Sequence, residues 1–216
     1  MERQKLLKLL KENKADFTLL VKKEPDILQS LIDIEKSEPS AIKFTAEKAV
    51  RNLSENNPEL FIGMEDKISS LLKSENTFIR LGNIITCSNL APIGTEKMSE
   101  LFKDAYIPFL YSKNIAEFGN AVKGIPKIIS AFPLLEDDLI EPLFEADQRV
   151  FIYKGKPSPE CSNVAAGKVI DVFVKISNNS LYREEMLDFA KRNLNNTKNS
   201  TKRKAEKLIK CLKDKE

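Results

Sequence analysis

The chain has 216 residues, of which 42% are hydrophobic and 31% charged, with a net charge of +3. That apolar content supports a sizeable core, but no stretch reaches the ~18 apolar residues of a membrane span. Histidine and tryptophan are absent, which excludes a Ser–His or Cys–His nucleophile pair and removes the commonest metal ligand.

From the N-terminus, residues 1–23 carry two short apolar patterns, Leu6, Leu7, Leu9, Leu10 and then Phe17, Leu19, Leu20, Val21. They predict a degenerate leading helix pair, a cap. MERQKLLKLLKENK lacks the apolar core and small-residue cleavage site of a secretory signal. Five helix pairs are then predicted, at 25–55, 58–91, 95–132, 136–177 and 180–213, forming one domain over 1–216. The first helix of each pair shows helical apolar spacing, as in Ile27, Leu28, Leu31, Ile32 and Leu139, Ile140, Leu143, Phe144. Asn57-Pro58, Ser158-Pro159, Thr95 and Ser180 are the predicted N-caps. No strand-like run bounded by turns competes, and Pro126 is expected to kink or break its helix.

The second helices repeat. KFTAEKAVRNL from Lys43 aligns with RLGNIITCSNL from Arg80, 37 residues on, and with EFGNAVKGIPK from Glu117, another 37 on. SNVAAGKVIDV from Ser162 and KRKAEKLIKCL from Lys202 follow at spacings of 45 and 40. Small residues fill the Ala46 and Thr45 positions, namely Asn83, Asn120, Ala165 and Ala205 in one column and Gly82 and Gly119 in the other. They suit a close approach between neighbouring helices. A helix pair recurring at this period marks an all-α solenoid, because one pair cannot bury its apolar stripes alone.

IKFTAEKAVRNLS and IRLGNIITCSNLA resemble HEAT repeats with armadillo features, each placing a basic residue after Ile42 or Ile79. The resemblance is strongest over 25–93, and the whole is similar to small stand-alone prokaryotic HEAT-repeat proteins. It implies a right-handed α-α superhelix whose second helices form a concave face. It also implies a scaffold that binds a protein or peptide rather than an enzyme.

Four sets of residues are candidates for function. Asn52 and Asn89 sit in matching -NL- contexts with Arg51 and Arg80 on the same helices, and armadillo repeats hold extended peptides with such asparagines. An amide offers both donor and acceptor to a peptide backbone. Here Lys48 and Ile85 stand where those repeats carry a Trp, and Pro126 and Asp171 occupy the next rungs. The alternative is two ordinary exposed helical residues.

The second set is the basic C-terminal pair. Residues 191–216 carry ten Lys/Arg against three Asp/Glu, and residues 1–23 seven against three, flanking a middle of net −8. Lys202, Arg203, Lys207 and Lys210 are the residues suited to phosphate contact and hence to nucleic acid. The competing reading is a solubilising end repeat. The third is the loop FIYKGKPSPE, with Phe151, Tyr153 and Lys154, which accounts for the longer 45-residue spacing. Its alternative is a tolerated insertion whose aromatics pack inward.

The fourth is catalytic. Helical-repeat DNA glycosylases share this architecture and are known for a cleft with Trp, Asp and Arg. Glu47, Glu117 and Asp171 with Arg51 or Arg80 are the residues available here, without any Trp. The favoured expectation is a non-catalytic, cytoplasmic protein-binding scaffold with no cofactor and no metal. Nucleic-acid binding, with or without repair chemistry, is the alternative. The separated Cys87, Cys161 and Cys211 fit a reduced compartment.

Overall fold

The computed structural model describes residues 1–12 and 15–213. The sequence reading treats 1–216 as one domain, whereas the contacts divide the chain into two compact units, Met1–Tyr106 and Ile107–Glu216.

The first unit contains α1 (Arg3–Glu12), α2 (Phe17–Lys23), α3 (Asp26–Ser37), α4 (Ile42–Asn56), α5 (Glu65–Leu72), α6 (Thr77–Asn89) and α7 (Glu96–Leu101). A π-helical turn, Phe102–Tyr106, follows α7. Helix α4 is the centre of this unit and packs on α1, α3 and α6. Its apolar stripe, Ala46, Val50 and Leu53, is buried, as are Leu28, Leu31 and Ile32 of α3 and Ile79 of α6. The leading pair covers one side, with Leu6, Leu10 and Val21 buried.

The second unit contains α8 (Ile115–Ala131), α9 (Glu136–Ile140), α10 (Pro159–Ile176), α11 (Arg183–Arg192) and α12 (Asn199–Lys213). Helix α10 packs against both α8 and α12, and α11 covers α12. Phe118, Val122, Ile125, Val169, Ile170, Phe173, Phe189 and Leu208 form the core. Short 3-10 turns built on Pro133 and Pro142 flank α9.

Several local expectations are corrected. Thr95 and Ser158 cap as predicted, accepting from the Met98 and Cys161 amides. Asn57 makes no side-chain cap bond and opens only a 3-10 turn. Ser180 is not the cap residue of α11, which starts three residues later at Arg183: its Oγ accepts from the Tyr182 amide at 3.2 Å and its hydroxyl donates to Glu136 at 2.6 Å. Asn76 and Asn114 are caps the sequence reading did not name. Pro126 does not break α8, which runs on to Ala131. Ile125 and Ile128 are fully buried on either side of it, and that packing outweighs one missing backbone bond.

The 151–160 insertion is a two-residue β-hairpin in an otherwise helical unit, pairing Ile152–Tyr153 with Lys156–Pro157. Lys154 and Gly155 have φ of 50° and 76°, and positive φ at both central positions is what a type I′ turn requires.

Candidate functional site

The second helices α8, α10 and α12 line a groove of about 470 Å³ in the second unit. Its walls carry Lys123 from α8, Lys168 and Lys175 from α10, and Lys204 and Lys207 from α12. Val172 and Val174 supply an apolar floor, and Asp171 is the one carboxylate in the lining.

Helical spacing explains the array. Lys168, Asp171 and Lys175 stand at i, i+3 and i+7 on α10, and Lys204 and Lys207 at i and i+3 on α12, so each set shares a face. The glycines seat the side chains. A Cβ on residue 119 would lie 2.6 Å from Lys168 Cε, so Gly119 is what lets the lysine stem lie against α8. Gly167 in the same way receives Thr201 and Lys204 from α12. The close approach expected from small residues is thus an approach of neighbouring side chains onto a bare helix backbone.

Lys204 is neutralised in place: its Nζ is 2.5 Å from Asp171 Oδ2 and 3.3 Å from the Gly167 carbonyl. Among the described residues, no carboxylate lies within ion-pair distance of Lys123, Lys168, Lys175 or Lys207. Burial holds the half-buried Lys168 below the usual lysine range, with the charges of Lys123 and Lys204 adding and Asp171 opposing. The groove is therefore a concentration of positive charge over an apolar base. It can hold an anionic group, and the one carboxylate in its lining, Asp171, is engaged by Lys204.

The sequence-predicted residues scatter around this site. Lys207 lines the groove, while Lys202, Arg203 and Lys210 are exposed on α12 outside its lining. Asn52 is exposed, with its carbonyl bonded to Asn56. Asn89 is buried and donates to Ser54 Oγ at 3.1 Å, tying α6 to α4. The two amides are therefore not equivalent rungs. Arg51 pairs with Glu47 at 2.7 Å, and Arg80 donates to the Ser74 carbonyl.

In the hairpin, Phe151 is core, packed on Phe118 at 5.1 Å between ring centroids. Tyr153 is exposed, with Lys154 over its ring. The carboxylates considered for catalysis all have neighbours: Glu117 accepts from Ser112, Glu47 from Arg51 and Asp171 from Lys204. Lys123, Lys168 and Lys175 went unnamed in the sequence reading. A signal was present, since Lys123 and Lys168 fall at the same position of the aligned repeats starting at Glu117 and Ser162.

No protein-family model and no curated protein matches the chain. Solved structures do. A designed armadillo repeat protein, YIII(Dq.V1)4CPAF in complex with peptide (KR)4, is 15% identical with a TM-score of 0.59, over 97% of this chain and 91% of that one. Computationally designed armadillo repeat proteins for modular peptide recognition match at 13% identity and a TM-score of 0.60, over the same shares. The chain is an armadillo/HEAT-like helical-repeat solenoid. No helix among its described residues is long and apolar enough to cross a membrane.

Proposed function

We propose that this armadillo/HEAT-like chain is a non-catalytic scaffold that takes a peptide segment of a partner protein along α8, α10 and α12. One observation carries the reading. Three successive second helices leave an open groove with a valine floor and a charged rim, and its volume of about 470 Å³ falls in the ~300–1,000 Å³ range of ligand sites. The likeness to designed peptide-recognising repeats supports it at the level of architecture. The peptide in that designed complex is the basic (KR)4, whereas the groove here is itself basic.

Selection from a displayed random peptide library, followed by hydrogen exchange of the complex, tests this reading. Bound peptides are expected to slow exchange in α8, α10 and α12 and to leave α1–α6 unchanged. Binders that protect only other helices, or a selection that yields none, overturn it.

A further inference from the structure

We infer that the groove selects an acidic peptide segment, one bearing spaced Asp or Glu side chains, in extended conformation; this rests on the peptide-scaffold reading above. Charge is the first argument. Five lysines face one aspartate in the lining, and that aspartate is already bonded to Lys204. Lys123, Lys168, Lys175 and Lys207 remain to meet incoming anions. Like-charge juxtaposition rejects basic segments as strongly as opposite charge attracts acidic ones.

Geometry is the second. Neighbouring packed helices lie ~8–10 Å apart, so crossing from α8 over α10 to α12 covers roughly 16–20 Å. An extended chain advances ~3.3 Å per residue, so five or six residues span it. Side chains on one face recur every second residue, and an acidic residue at alternate positions reaches a lysine on each helix in turn. The intervening face is free of any charge requirement, while Val172 and Val174 accept aliphatic contact.

The chemistry of the lining separates this partner from nucleic acid. No aromatic ring lines the groove, so bases find no stacking platform. Neither does any arginine, so the planar fork that suits phosphate is absent. Lysine is a compact point charge that reads sign rather than shape, which fits carboxylates on a variable sequence. Asp171 stands within the row, where a continuous run of phosphates would have to pass it.

The test is fluorescence anisotropy with four labelled probes at low and moderate salt: the acidic peptide (Glu-Ser)4, the neutral (Gly-Ser)4, the basic (Lys-Arg)4 and an eight-residue oligo-dT. Each is titrated with wild type, with the groove variant Lys123→Glu/Lys207→Glu and with the control variant Arg203→Glu/Lys210→Glu. All four substituted residues are exposed, and thermal unfolding of each variant verifies the fold. Lys168→Gln serves as a second groove variant that removes charge without reversing it.

The expected result is preference for (Glu-Ser)4, a loss of about tenfold or more in both groove variants, and little change in the control. Preference for the neutral or basic peptide overturns the inference and leaves the peptide-scaffold reading standing. So does an acidic affinity that falls equally in groove and control variants, which marks diffuse charge attraction. Tighter binding of oligo-dT than of (Glu-Ser)4 overturns it in favour of nucleic acid. Failure of all three peptides, together with an empty library selection, overturns both.

Discussion

Lys168 lies across Gly119, and the two residues come from adjacent second helices of the second unit. The contact reports a division of labour along the repeat. A missing Cβ on one helix makes room for a long side chain from the next, and the charge at its end is held in the groove. The nearest atoms that a methyl group at residue 119 would meet are those at the far end of this flexible side chain. Gly119→Ala is therefore expected to keep or slightly raise thermal stability, since Ala is favoured over Gly within a helix by ~0.5–1 kcal/mol. The cost falls on Lys168, which is pushed outward. Its pKa, lowered chiefly by burial, is expected to rise toward the ordinary lysine value, as followed by NMR titration of the lysine side chain. An unchanged Lys168 titration in a stable Gly119→Ala protein would show that the seat does not set its environment.

The first unit offers a contrasting buried pair. Glu35 is almost fully buried and accepts a hydrogen bond from Asn83 Nδ2. Glu35 Oε2 and Asn83 Oδ1 have no partner of their own. A proton on Oε2, donated to Oδ1, would close a two-bond acid–amide ring and satisfy both atoms. Burial, the largest cause, and the nearby Glu47 push the Glu35 pKa up to about 8, against the Asn83 bond and Arg51.

The sign follows from proton counting. Between the ordinary carboxylate value, about 4.3, and about 8, the folded state holds a proton that the unfolded state has released. The contribution of Glu35 is complete below that window, declines as pH rises through it, and levels off above. Thermal unfolding from pH 4 to 9 is expected to show this decline superposed on the other titrations. Glu35→Gln, which keeps both bonds without the titration, is expected to flatten it. Equal slopes for wild type and Glu35→Gln would exclude the neutral acid.

Asn52 and Asn89 looked equivalent in sequence, and the difference shows what periodicity can and cannot carry. The repeat alignment identified the second helices and their small-residue columns, because apolar spacing and glycine are local features. It could not tell which face an asparagine occupies, since one helical position of phase turns a side chain by about 100°. Lys123 and Lys168 were visible as a repeated column but not as a groove, because their meeting depends on how α8 packs on α10. The hairpin stayed hidden for another reason: two residues per strand is too short a run for alternation to register.

This same distinction predicts opposite outcomes for the two asparagines. Asn89→Ala removes a buried amide and leaves Ser54 short of a partner, at a cost of about 1–3 kcal/mol. Asn52→Ala changes an exposed side chain and should stay within about 0.5 kcal/mol. Denaturant unfolding of both variants measures the difference. Equal destabilisation would mean that the Asn89–Ser54 bond contributes nothing beyond an exposed residue's share.

The last prediction concerns the hairpin turn. Lys154 sits at a φ of 50°, where an L-residue with a Cβ is disfavoured by roughly 1–2 kcal/mol. Gly155, at 76°, carries no such penalty. The turn holds because its strands are anchored: Phe151 is buried on Phe118, Ile152 donates to the Lys113 carbonyl, and Ser158 donates to Phe151. Lys154→Asn places a residue tolerant of this conformation at the strained position, and the expected gain is about 0.5–1 kcal/mol. Gly155→Val introduces a branched side chain at positive φ and is expected to lose at least as much. Neither change touches α8, α10 or α12, so acidic-peptide affinity should be the same in both. If Lys154→Asn lowers the melting temperature, the Lys154–Tyr153 ring contact contributes more than the backbone strain costs.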